Sequence, residues 1–201
     1  GFMKKLFVLL LMGQLFFSCA KKDSTSSSSD DTSADLDSLQ GTWKTNCHSS
    51  DSLYRILSIS INSTDVTINY EYHSDASCNT DYAIFVDTYD SLSLGTKMEF
   101  TNSTAEGRQF TINVKKFTLA PQDSALVTSY NNNTHCGYND WAINEFKDIH
   151  GKTCGTTSYA VSNTTVNSVY GITGNNLMLG VLNTTGEAQT VIYTNPLFVK
   201  Q

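Results

Sequence analysis

The sequence predicts an all-β fold, an antiparallel up-and-down barrel of about eight or more strands, on three observations. From Tyr54 onward the apolar residues recur mainly with period two, the spacing that puts them on one face of a strand. Turn signals separate these runs at intervals of roughly a dozen residues. Only two prolines interrupt a chain of 201 residues that is rich in Thr, Tyr and Val. Successive hairpins of this kind leave two open edges unless the sheet closes on itself, and closure removes the edges that invite pairing with other chains.

The N-terminal region divides into two segments before the barrel. Lys4 and Lys5 precede an uncharged apolar run, Leu6 to Phe17, broken only by Gly13 and Gln14. As a helix that run rises roughly 18 Å, too short for a hydrocarbon core of about 30 Å. A basic head, a short apolar centre and a small residue before a cut describe a secretory signal peptide over residues 1–18, with Met3 as its start. Ser18-Cys19 after an apolar pair resembles a bacterial lipobox, which makes Cys19 the lipid-attachment site, the carrier of a palmitate-type acyl group. Residues 19–37 are Lys, Asp, Ser and Thr with almost nothing to bury, and such a segment is expected to be a flexible tether. The folded domain is expected over 38–201. Ala20 after the anchor cysteine lacks the aspartate that favours inner-membrane retention, so the expected location is the outer membrane, on its periplasmic or surface face.

Net charge is −6, and removing the leader takes away two lysines and no acid. An acidic chain lacks the basic footprint of a nucleic-acid binder. Beyond Cys19, four cysteines remain, Cys47, Cys78, Cys136 and Cys154. An even number in an exported chain reads as two disulfides. Three connectivities are open; Cys47–Cys78 with Cys136–Cys154 is favoured because the second pair brackets one irregular segment.

In chain order, Leu57, Ile59 and Ile61 alternate with serines, and Val66, Ile68, Tyr70 and Tyr72 alternate with Thr67, Asn69 and Glu71. Asn62-Ser63-Thr64 between them makes a short-loop hairpin with one apolar face. Tyr82–Val86 and Met98–Phe100 are the next strands. Phe110, Ile112 and Val114 alternate, after which Phe117 and Leu119 continue on the other parity, so a bulge or bend is expected near Lys115-Lys116. Further strands are expected at Ala125–Tyr130, Val166–Ile172, Asn176–Leu182 and Ala188–Val199, with turns at Gly174-Asn175 and Thr185-Gly186. For residues 131–155 two readings stay open: Trp141, Ala142, Ile143, Phe146 and Ile149 partly fit a helical face, and a disulfide-bridged loop fits equally.

Leu39-Gln40-Gly41-Thr42-Trp43 places a Gly-x-Trp at the opening of the first strand, after a polar leader. This resembles the lipocalin and wider calycin barrels, in which the tryptophan packs across the closed end. Gly41-Thr42-Trp43 with Cys47, Tyr72 through Asp75 to Cys78, Cys136-Gly137 with Trp141, and Asn195-Pro196-Leu197-Phe198 together resemble a group of lipocalin-like lipoproteins of Gram-negative bacteria. Thr80-Asp81-Tyr82 matches the Thr-Asp-Tyr motif of lipocalins. Lipocalins also lay a late arginine over the tryptophan, whereas the two arginines here, Arg55 and Arg108, both lie far from the last strand. The resemblance spans most of 39–201. It implies a fold, with Gly41 and Trp43 at the barrel base, and no activity.

No catalytic constellation emerges. His48 beside Cys47 and His135 beside Cys136 raise zinc, but neither has the spacing of a zinc knuckle, and disulfides are expected instead. Gly-x-Ser-x-Gly, His-Glu-x-x-His and phosphate-loop motifs do not occur. The carboxylate pairs Asp87 with Asp90 and Asp30 with Asp31 read as solvated charge in turn or linker contexts. Asn62, Asn102, Asn132, Asn163 and Asn183 read as turn asparagines. Tyr70 and Tyr72 share the apolar face of their strand, and tyrosine suits a mixed pocket because its ring packs while its hydroxyl finds a partner. With Ile59, Ile68, Phe110 and Ile112 they form the candidate ligand-binding set. The expected function is binding of a small apolar or amphipathic ligand, a lipid included, without catalysis, metal or cofactor. The alternative is a filled barrel that contacts another envelope protein.

Overall fold

The computed structural model describes residues 32–185 and 190–201. Within them the chain forms a closed antiparallel barrel of eight strands: β1 (Gly41–Lys44), β2 (Leu53–Asn62), β3 (Asp65–His73), β4 (Asp81–Phe100), β5 (Ser103–Pro121), β6 (Thr165–Thr173), β7 (Asn176–Leu179) and β8 (Phe198–Lys200). Each strand pairs with the next along the chain from β2 to β8. The ring closes at β1, where Trp43 sits opposite Ile59 on β2 and opposite Lys200 on β8. Short strands extend this wall, His48–Ser50 beside β2 and Lys147–Asp148 beside β5.

The register follows the period-two pattern. Asn62 faces Asp65 across the β2–β3 turn, and Leu57, Ile59 and Ile61 face Tyr70, Ile68 and Val66. The expected phase slip is present: Thr88 pairs with Lys116 and Tyr89 with Val114, so Lys115 is the extra residue of a bulge. Skipping one residue returns Phe117 and Leu119 to the inward face beside Val114. Tyr82–Val86 and Met98–Phe100, expected as separate strands, are the two ends of one 20-residue strand that bends through several register shifts.

Three expectations are corrected. Ala125–Tyr130 is helix α2 (Ser124–Asn132), not a strand; the Asp123 carboxylate caps it by accepting the Leu126 amide at 2.8 Å. That cap supplies a helix start the apolar count overlooks, and Leu126 and Tyr130 then fall one turn apart on one side. Of the expected strand Ala188–Val199, the described residues 190–199 are strand only at their end, within β8, while Ile192 is held by both side-chain atoms of Asn102, its carbonyl at 2.7 Å and its amide at 3.2 Å. The tether 19–37 lies outside the described residues up to 31, and its last six residues belong to helix α1 (Thr32–Leu39). The signal peptide, Cys19 and the Thr185-Gly186 turn beyond Thr185 also lie outside the described residues.

Helix α1 is ordered by what it meets. Asp35 pairs with Arg108, whose buried guanidinium also donates to the Gly95 carbonyl at 3.0 Å. Leu39 is buried in the main core. Residues 131–155 resolve as a bridged loop with a 3-10 turn at His135–Gly137, not as a continuing helix. Both favoured disulfides are present, Cys47–Cys78 and Cys136–Cys154. The Tyr72–Asp75–Cys78 motif has a local cause: the Asp75 carboxylate accepts the amides of Ser77, Asn79 and Thr80 and so shapes the turn into β4. The Thr80 amide foremost holds that carboxyl below its ordinary range. No described helix is long and apolar enough to cross a membrane.

Candidate functional site: the two halves of the barrel interior

Strand length divides the interior. β1, β7 and β8 have four, four and three residues, so with β6 they wall one half only. β2 to β5 run past them, and the inward face of their overhang is partly roofed by the segment between β5 and β6.

The walled half is filled and apolar apart from the buried Arg108 guanidinium, which Asp35 pairs. Trp43 is 1% exposed and its indole donates to the Leu39 carbonyl at 2.9 Å. Lys200 lies with its ammonium 5.0 Å over the Trp43 ring and donates to the Ser38 carbonyl at 3.1 Å. The late cation over the tryptophan is therefore a lysine of the closing strand, and it also meets the carbonyl end of α1, where positive charge is favoured. Above the tryptophan, Ile59, Ile68, Phe110 and Ile112 line a cavity of about 30 Å³ together with Leu39 and Tyr170. That is room for one small molecule the size of water. Four of the six candidate ligand-binding residues thus line a packed core.

The overhanging half is different. Tyr70 and Tyr72 lie there, and the register continues their inward row across β4: Tyr72 faces Ala83, Tyr70 faces Phe85, Ile68 faces Asp87 and Val66 faces Tyr89. On β5 the row passes to Leu119 beside Phe85 and Phe117 beside Asp87. Tyr70, Tyr72, Phe85 and Asp87 keep partial exposure to solvent, while Ala83, Tyr89, Phe117 and Leu119 in the same rows are buried. Edge-on ring contacts join Tyr72 to Phe85 at 5.5 Å and Tyr89 to Phe117 at 6.0 Å. Tyr159, from the roofing segment, packs on Phe117 at 5.6 Å.

Asp87 is the group that sequence reasoning passed over. It was expected in a turn, as solvated charge paired with Asp90; it stands mid-strand, facing inward among aromatic rings. The Tyr89 hydroxyl donates to its Oδ2 at 3.3 Å, and Tyr70 presents a second hydroxyl. Burial raises its pKa to about 6, against the pull of the two hydroxyls. Burial first, and the Asp87 charge second, also push the Tyr70 and Tyr89 phenols up, and Tyr159 to about 12. These tyrosines stay neutral and serve as donors at physiological pH. A signal was available: Phe85, Asp87 and Tyr89 alternate, so an inward parity for the ring on either side places the carboxylate inward as well.

Polar groups gather elsewhere too among the described residues. His135 lies with Cys136 and Cys154 within 4.8 Å, but the two sulfurs are bonded to each other, which leaves one imidazole stacked on Tyr130 at 4.0 Å. A solvent-open cleft of about 1090 Å³ lies between α1 and the β4–β5 hairpin, with Asp35, Met98, Phe100, Glu106 and Ile172 on its wall. Of its acids, Asp35 is already paired with Arg108.

No family model and no curated protein sequence matches the chain, so the functional reading rests on the barrel itself.

Proposed function

We propose that this protein is a lipocalin-like lipoprotein of the cell envelope, anchored to the outer membrane through Cys19, that binds a small amphipathic ligand in the overhanging half of its barrel without catalysing a reaction. The observation that carries this reading is the contrast in exposure along one inward face. Tyr70, Tyr72, Phe85 and Asp87 remain partly open, on a floor of buried residues that includes Ala83, Phe117 and Leu119. Rings with a few directed polar groups are the usual lining of a ligand site. The 30 Å³ space beneath them admits no acyl chain, because ligand pockets run to about 300 Å³ or more. A lipid would therefore lie along the overhang with its tail outside the sealed half.

A second reading, an interaction module of the envelope, is favoured by one observation: the sealed half resembles a filled barrel, and Val181, Val191 and Tyr193 are each at least half exposed near its closing strands. Native mass spectrometry of protein gently extracted from its own membrane separates the two. Binding predicts a co-purified small molecule that is lost from a Tyr72→Ala variant. A bare protein mass, with no thermal shift against a panel of amphiphiles, overturns the ligand reading and leaves the interaction module. Acyl labelling that persists in Cys19→Ser overturns the anchor.

A further inference from the structure

We infer that the ligand carries an organic ammonium group, held by the Asp87 carboxylate inside a cage formed by Tyr70, Tyr72, Phe85 and Tyr159. This rests on the binding reading above and names the chemistry of its head group.

Asp87 lacks a cationic partner among the described residues. It faces inward, half buried, and no described lysine, arginine or histidine forms an ion pair with it. Desolvating a carboxylate is costly unless a cation or several donors meet it. Two tyrosine hydroxyls satisfy part of its acceptor capacity, while a carboxylate offers about four lone-pair sites. What remains is a negative charge among aromatic side chains, Tyr70 and Tyr89 meeting it with their hydroxyls. Aromatic faces attract cations, quaternary and primary ammonium among them, and the attraction grows as water is excluded. Carboxylate and rings therefore prefer the same guest. An anionic head group is repelled, and an alcohol gains a hydrogen bond but no charge pairing.

The surroundings agree with that sign. Groups facing Asp87 from the elements packed on it are Ile68 and Tyr70 from β3, Tyr89 from its own strand, Phe117 from β5 and Tyr159 from the roof, with Tyr72 joined to this group through Phe85 and Tyr159. None is cationic. Arg55 shares the inward row of β2 opposite Tyr72 at the rim, where its Nε donates to His48 Nε2 at 3.1 Å. The net charge of −6 favours the approach of cations over anions.

The test is calorimetric titration of the full chain in non-ionic detergent with four matched compounds: phenethyltrimethylammonium, phenethylamine, 2-phenylethanol and phenylacetate. At pH 7.5 the two ammonium compounds are expected to bind about tenfold tighter than the alcohol, with phenylacetate weakest. Asp87→Asn should bring the ammonium compounds down to the alcohol's affinity and leave the alcohol unchanged. Lowering the pH to 5 should do the same to the unmutated protein, since Asp87 is then mostly protonated. Tyr72→Leu, which keeps the charge and removes a ring, should weaken the trimethylammonium compound more than the alcohol. Equal affinity for ammonium and alcohol overturns the head-group inference and leaves the binding reading standing. Loss of alcohol binding in Asp87→Asn, with its thermal midpoint no lower than the parent's, overturns it as well. No heat with any of the four overturns both.

Discussion

The two halves of this barrel share four strands and one inward face, yet they treat charge differently. The lower one buries its charge as a closed ion pair, Arg108 with Asp35, and the upper one carries a carboxylate with no described cation. Below, Trp43, Ile59, Ile112 and Leu177 are 2% exposed or less, and the one polar atom of the tryptophan is satisfied by a helix carbonyl. Above, rings alternate with a carboxylate whose pKa is raised by burial. A sealed apolar layer needs only volume and shape, whereas a half-open layer can hold charge because water or a guest completes its hydrogen bonds. Fold stability is therefore expected to reside in the walled half and recognition in the overhang. Each of the following experiments tests that division.

The largest effect is expected at Trp43. Trp43→Ala removes a fully buried ring and strands the Leu39 carbonyl, and should cost about 3–5 kcal/mol. Tyr72→Ala, in the partly exposed half, should cost less than half as much. Urea unfolding at neutral pH measures both; equal losses would show that the overhang is as much core as the walled half.

Next comes the Cys136–Cys154 bridge, which closes a segment with a sequence separation of 18. Replacing both cysteines by serine should cost about 3 kcal/mol. Hydrogen exchange should then rise in the roof, from residue 131 to 160, while β1 and β2 keep their protection. Faster exchange throughout β1 and β2 would tie the roof to the sealed core and erase the distinction between halves.

A third experiment reverses the sign. Asp87 titrates near 6 when folded and near 3.9 when unfolded. Between those values the folded state holds a proton that the unfolded state has released, so stability falls as pH rises through that window and stays lower above it. Asp87→Asn removes the penalty. It should stabilise the protein by about 1–2 kcal/mol at pH 8 and have no such effect near pH 3.5. A variant less stable than the parent at pH 8 would mean that the ionised carboxylate supports the fold, contrary to its assignment as a recognition group.

Much of this architecture is legible in the chain because a half-buried strand writes its geometry as alternation. The β2–β3 hairpin and the Lys115 bulge come from parity alone, the first from a constant phase and the second from a break in it. Parity fails where both faces are covered. Tyr82–Val86 is a run without a charged or small polar residue, and it hides the fact that Phe85, Asp87 and Tyr89 share the inward row. It fails again where a single polar cap decides the element: Asp123 turns an apolar run into α2. Helix α1 is the hardest to read, since its polar sequence buries little and is ordered by distant partners, Arg108 at 73 residues' separation and Lys200 at 162 from Ser38. The candidate ligand set fared accordingly. Tyr70 and Tyr72 reach the open half, whereas Ile59, Ile68, Phe110 and Ile112 follow the same rows into the sealed one, because parity gives a residue's face and not its depth.

The smallest effect is expected at Lys200, and it bears on how the walled half is closed. Its ammonium is exposed, 5.0 Å over the Trp43 ring, and bonded to a carbonyl at the end of α1. An exposed cation on a ring is worth about 0.5–1 kcal/mol, and a cation at a helix C-terminus adds a similar, salt-sensitive amount. Lys200→Ala should therefore cost about 1 kcal/mol in low salt and less at 1 M salt, where the Debye length falls to about 3 Å. Lys200→Arg should retain most of the stability, because a guanidinium also stacks on an indole. If Lys200→Ala instead costs as much as Trp43→Ala, the tryptophan is held in place by the cation, not by its own burial. The walled half would then depend on a surface contact, and the simple assignment of stability to packing and recognition to charge would fail at its base.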